Sequence, residues 1–201
     1  MKQATKVSWA RAFSLFVVLI MPMLHGCYLS VVPLTFREVR DYTLHSKQTI
    51  SSPISQVARA ACLSLREMGF TLKRIEYRTD PAIIEASWEE VNVDLRLTAL
   101  TEKTTLIKSK VKMSSGAREY SLEEELFANI RSTLADHRFP AMIDLARGLS
   151  PIYIKPSDDS AKIAFVRSGE KLEVSDSTDD WYKVEMKSGA EGFIPKSLAR
   201  K

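Results

Sequence analysis

The chain has 201 residues, with 29 lysines and arginines against 25 aspartates and glutamates, a formal charge of +4. Lys2, Lys6 and Arg11 all sit at the extreme N-terminus, and without them 26 basic residues face 25 acidic ones, a near balance that argues against nucleic acid as a partner. The two cysteines, Cys27 and Cys62, leave no room for a multi-bridge disulfide framework, and this length accommodates one domain or two small ones.

The N-terminal segment MKQATKVSWARAF is basic and free of acids, and FSLFVVLIMPML from Phe13 to Leu24 is apolar apart from Ser14. A positive region before a short apolar run is the layout of a secretory signal. The apolar run is short of the roughly 20 residues a spanning helix needs and is interrupted by Pro22. An uncleaved anchor helix starting near Val7 is the less economical reading, because Lys6, Trp9 and Arg11 shorten its usable span.

The run ends in Leu24-His25-Gly26-Cys27, which resembles the lipobox of bacterial lipoproteins, with His25 departing from the pattern at its most permissive position. The resemblance implies that residues 1–26 are a signal peptide, that Cys27 is acylated, and that Cys27 becomes the first residue of the mature protein. Two or three acyl chains give lasting membrane attachment where one is marginal. A periplasm-facing location follows, and Tyr28 after the cysteine, where aspartate would favour inner-membrane retention, leans toward the outer membrane. Cys62 then has no intramolecular partner, and its place on the flank of an apolar helix face makes it a buried, inert thiol.

Residues 27–41, ending in YLSVVPLTFREVRD, lack periodicity and read as a lipidated tether. A first folded unit spans 42–149. YTLHSKQTI has strand length; Ser52-Pro53 reads as a cap with proline at the first helical position. Ile54, Val57, Ala58, Ala61, Leu65 and Met68 then recur at helical spacing until Gly69. FTLKRIEY, AIIEASW, VNVDLRLTA and TTLIKSKVKM follow as four strands, the third alternating cleanly between apolar and polar residues. A second helix starts at Ser121, with Ser121 and Glu124 as a capping box and Leu122, Leu126, Ile130 and Leu134 as its stripe. The order predicts an α+β fold, a two-layer sandwich of an antiparallel sheet with two helices on its apolar face. The unit also resembles a family of uncharacterised domains of bacterial lipoproteins, through LREMGF, the hairpin-rich middle and VKMSSGAREYS; that resemblance implies no activity.

The second unit, 151–201, has short strands punctuated by Ser168-Gly169, Ser175 to Asp180 and Ser188-Gly189, the spacing of a small all-β barrel. Gly169-Glu-Lys-Leu-Glu-Val174, Asp180-Trp-Tyr-Lys-Val184 and Gly189-Ala-Glu-Gly-Phe-Ile194 together resemble the bacterial SH3-like domain. Phe193 stands where tryptophan is usual. The acidic-aromatic loop of proline-binding members is missing, so the resemblance does not extend to binding of PxxP peptides. The resemblance implies binding of peptidoglycan stems or bridges, as in many such domains, or of proteins, while others have no known ligand.

Of the three histidines, His25 leaves with the signal, and His45 and His137 have no neighbouring metal-ligating partner, so both read as surface residues. No metal-site, nucleophile-elbow or phosphate-loop motif is present, and no catalytic residue, metal or cofactor is expected. Glu123, Glu124 and Glu125 lie in the first turn of a helix, where negative charge complements the dipole. Lys108, Lys110 and Lys112 share one strand face and could touch anionic lipid or glycan, but a solvated face opposite Asp94 accounts for them. Trp181 falls on the strand face opposite Tyr182 and Val184, and Tyr153, Trp181 and Phe193 are the candidate ligand-binding residues, as rigid aromatic anchors. The alternative is that Trp181 covers the barrel rim and Phe193 fills its core. The reading is therefore a non-enzymatic envelope lipoprotein that binds a cell-wall or protein ligand through its C-terminal domain; the rivals are an accessory subunit or cryptic enzyme of wall metabolism, and a protein scaffold that uses the α+β domain.

Overall fold

The computed structural model describes residues 46–136 and 138–199. The signal, Cys27, the tether, His45 and His137 lie outside the described residues. Ten strands form one antiparallel sheet: β1 (Ser46–Ile50), β2 (Thr71–Glu76), β3 (Ala82–Trp88), β4 (Val91–Thr101), β5 (Thr104–Met113), β6 (Ser150–Tyr153), β7 (Lys162–Val166), β8 (Glu173–Ser177), β9 (Trp181–Glu185) and β10 (Glu191–Pro195). Their spatial order is β1-β5-β4-β3-β2-β7-β6-β10-β9-β8. The helices among the described residues are α1 (Ile54–Glu67), α2 (Tyr120–Asp136) and the short α3 (Met142–Leu145) and α4 (Lys196–Ala199). Among the described residues no helix is long and apolar enough to cross a membrane.

Alternation decides the faces of β4. Val91, Val93, Leu95 and Leu97 are buried while Asn92, Asp94 and Arg96 are exposed, as a strand with one solvated face requires. The buried set joins Leu72, Ile75, Ile84, Ile107 and Val111 in one core with Val57, Ala61 and Leu65 of α1 and Leu126, Ile130 and Leu134 of α2. Both long helices therefore cover the same face of β1 to β5. Helix α1 begins one residue later than the Ser52-Pro53 signal suggests: Pro53 is extended at φ −59°, ψ 145°, and its carbonyl accepts the Gln56 and Val57 amides at 2.9 and 3.1 Å. Its end follows the expected pattern. Gly69 adopts φ +86°, and the Gly69 and Phe70 amides donate back to Arg66 and Leu65 carbonyls at 3.0 and 2.8 Å, closing the helix with a left-handed cap. Cys62 is buried in this core, and burial pushes its thiol up to about 12 from an ordinary 9.0.

Strand β7, KIAFV, is a continuous apolar run because it is buried on both sides. Its register opposite β2 pairs Phe165 with Ile75, and Ala164 and Val166 with Glu76 and Arg74. Phe165 accordingly belongs to the first core, while Ala164 and Val166 join Ile152, Ile163, Val184, Met186 and Ile194 in a second one. Tyr77 stacks on Phe165 at 5.8 Å and donates its hydroxyl hydrogen to the Lys162 carbonyl at 2.7 Å.

A buried polar cluster reinforces this junction. Arg74 and Glu76 flank the core residue Ile75 on β2, past a register shift after Leu72, and they are 4% and 0% exposed. Glu76 accepts the Lys187 amide at 3.0 Å and the Ser188 amide at 2.9 Å, both from the β9–β10 turn. Arg74 lies 3.5 Å from Glu76 and 3.2 Å from Glu85 and donates to the Lys171 carbonyl at 3.1 Å. The C-terminal strands cover this face of β2, so its charges meet protein groups in place of water, the Arg74 Nε making an ion-pair contact with Glu85 but no hydrogen bond.

Glu123, the acid in the first turn of α2, is likewise buried, and it does more than complement the helix dipole. Its carboxylate receives both ends of the Arg118 guanidinium, at 2.9 and 2.8 Å, and the Val111 amide at 2.8 Å, and it accepts the Ser46 hydroxyl. The first turn of α2 is thereby fastened to β5 and β1. Glu124 and Glu125 are exposed on the outer helix face and lie past the first turn, whose acid is Glu123.

Candidate functional site

The strand registers sort the second half of the chain into an inner and an outer face. Phe193 pairs with Tyr153 across β10 and β6 and with Lys183 across β10 and β9, while Pro195 pairs with Trp181. With side chains alternating along each strand, Tyr153, Phe193, Trp181 and Lys183 therefore share the outer face. The inner face carries Ile152, Val184 and Ile194. Phe193 thus stands outside the core as a half-buried ring.

Gly192 makes this arrangement possible. A Cβ there would collide with Ile152 Cγ2 and come within 3.2 Å of Ile163 Cδ1, so only glycine lets β10 approach the second core this closely. The adjacent Phe193 is thereby brought against β6.

Tyr153 and Trp181 meet edge to face, with centroids 5.5 Å apart and planes at 88°, a geometry that contributes about 0.5–1.5 kcal/mol beyond burial. Tyr153 is 7% exposed and forms the floor; Trp181 is half-buried above it. Burial, and secondarily the charge of Asp158, raises the Tyr153 hydroxyl above its ordinary value. The indole is held by its backbone: the Thr178 amide donates to the Trp181 carbonyl at 2.9 Å, and the Lys196 amide to the Asp180 carbonyl at 2.8 Å. Lys183 and Glu191 form an ion pair at 2.7 Å on the same face. The result is a rigid aromatic surface with a charged rim, suited to an extended ligand with apolar faces and polar edges.

A second feature was not legible in the sequence. An apolar recess of about 220 Å³ opens at the mouth of the second core beside Leu172, Val174, Tyr182 and Leu198. Val174 is 54% exposed there, because β8 is an edge strand with exposed residues throughout. Among the described residues no group of three or more His, Cys, Asp and Glu could hold a metal ion.

Comparison with known families bears on this half of the chain. Residues 147–201 match the family model of the bacterial SH3 domain. This C-terminal part is similar to bacterial SH3 domains. No curated protein matches the chain. The matched segment contains β6 to β10, the aromatic surface and the second core. Its three sequence signatures take definite places in the structure. Gly169 and Gly189 occupy turns with positive φ, Trp181 and Val184 point to opposite faces of β9, and Gly192 and Ile194 face the core.

Proposed function

We propose that this protein is a lipid-anchored component of the bacterial cell envelope, facing the periplasm, which binds a cell-wall or protein ligand through its SH3-like part and catalyses no reaction. The observation that carries the reading is the rigid Tyr153–Trp181 pair on the outer face of a segment that matches bacterial SH3 domains. Such domains are binding modules, often of the cell wall, and an aromatic ring held in place beforehand loses little freedom on meeting a ligand. The anchor rests on Leu24-His25-Gly26-Cys27 after the basic and apolar segments, and the outer membrane is its favoured destination.

Metabolic labelling with radioactive palmitate tests the anchor. The full chain should take up label and Cys27→Ser should not; equal labelling of both would overturn the anchor. Co-sedimentation of the detergent-solubilised full chain with purified peptidoglycan sacculi tests the wall ligand. Specific retention supports it, and failure of folded protein to sediment directs the ligand search to envelope proteins.

A further inference from the structure

The face of the sheet opposite α1 and α2 carries a cleft of about 370 Å³, within the range of roughly 300–1,000 Å³ typical of small-molecule sites. Strands β2 to β5 line it, and Glu170 and Lys187 of the SH3-like part complete it. The registers set Arg74, Glu85, Asp94 and Lys110 in one row across four strands, with Asn92 and Lys112 paired two residues along.

The charges in this cleft are unevenly matched. Glu85 is engaged by Arg74 at 3.2 Å and by Lys187, and Asp94 also has a partner. Lys73 donates to the neutral Asn92 side-chain oxygen at 3.3 Å. Lys110 faces Asp94 across the β4–β5 register and feels its charge, and Lys112 faces the neutral Asn92. The Lys110 amine is held below its ordinary value, first by burial and then by hydrogen bonding to Lys112 and by that neighbour's charge, with Asp94 opposing and Arg118 adding to the effect. Two amines placed in this way repel when both are protonated, and an anion between them removes the repulsion.

We propose that this cleft seats the phosphate group of a small ligand between Lys73, Lys110 and Lys112, while Glu170 accepts a hydrogen from a hydroxyl or amine of the same molecule. Every cation lining the cleft is a lysine. Lysine binds phosphate as a point charge, without the fixed bidentate geometry that the arginine fork imposes. The cleft is separate from the aromatic surface, so it adds a second binding activity and does not depend on the wall-binding reading.

Calorimetric titration of the detergent-solubilised full chain at low salt tests this, with inorganic pyrophosphate in one arm and glycerophosphoglycerol, the deacylated headgroup of phosphatidylglycerol, in the other. Saturable binding should weaken about fivefold or more in Lys73→Ala and in Lys110→Ala/Lys112→Ala, the size of one charge contact at 4 Å in water. Lys103→Ala, at the β4–β5 turn, and Trp181→Ala should bind as the parent does. Tighter binding of the headgroup assigns the phosphate to a lipid, and tighter binding of pyrophosphate to a soluble ligand. Folded protein that binds neither probe, or an equal loss in Lys103→Ala, would overturn the proposal.

Discussion

Removing the Glu123 carboxylate deprives the Arg118 guanidinium, the Val111 amide and the Ser46 hydroxyl of a partner at once. Because Glu123 is fully buried and the Arg118 side chain is only 12% exposed, Glu123→Ala removes the bidentate carboxylate partner of a largely buried guanidinium. The expected cost is about 3–5 kcal/mol, read as a lower urea midpoint with an unchanged slope. Glu123→Gln keeps an acceptor and should lose less, whereas equal stability of the alanine variant and the parent would contradict the buried pair. The sequence could not show this pairing. Three consecutive glutamates in a first helical turn look alike, and only the fold selects the one that faces β5. Tyr153, Trp181 and Phe193 were easier to place, since the period of two in β9 already separates Trp181 from Tyr182 and Val184.

Among the elements, those with clean periodicity were the ones readable in advance. Strands β3 and β5 have the ends their apolar runs suggest, and β4 extends by two residues into the turn. Helix α1 is legible because its apolar stripe ends at a glycine in the left-handed region. Strand β2 was read as a strand, but nothing local marks Arg74 and Glu76 as buried, since Glu76 is held by a turn more than 100 positions away in sequence. The β9–β10 turn is thus fastened to β2 by one carboxylate. In Glu76→Ala the Lys187 and Ser188 amides lose their acceptor, so their hydrogen exchange should accelerate by about tenfold or more for a lost bond worth about 1.5 kcal/mol or more. Unchanged protection at both amides would show that the turn is held by other contacts.

At the scale of the molecule, β7 is the strand on which the two halves meet, giving Phe165 to one core and Ala164 and Val166 to the other. Composition and turn spacing indicated where the SH3-like segment lies. They could not indicate that its first hairpin extends the sheet of the preceding segment, since strand pairing between distant segments leaves no local signature. The same limit hid the lysine cleft, whose lining comes from both segments. The sheet and the Tyr153 ring together hold Trp181 on the outer face without calling on the indole for the backbone's own hydrogen bonds. Trp181→Ala should therefore fold, and its circular dichroism should match the parent's. Sedimentation of the full chain and of Trp181→Ala with purified peptidoglycan sacculi tests the central claim most directly. The account predicts saturable retention of the parent and a loss of about 2 kcal/mol, roughly thirtyfold in affinity, in the variant. Equal retention of both folded proteins would contradict Trp181 as the anchor, and no retention of either would contradict the cell wall as the ligand.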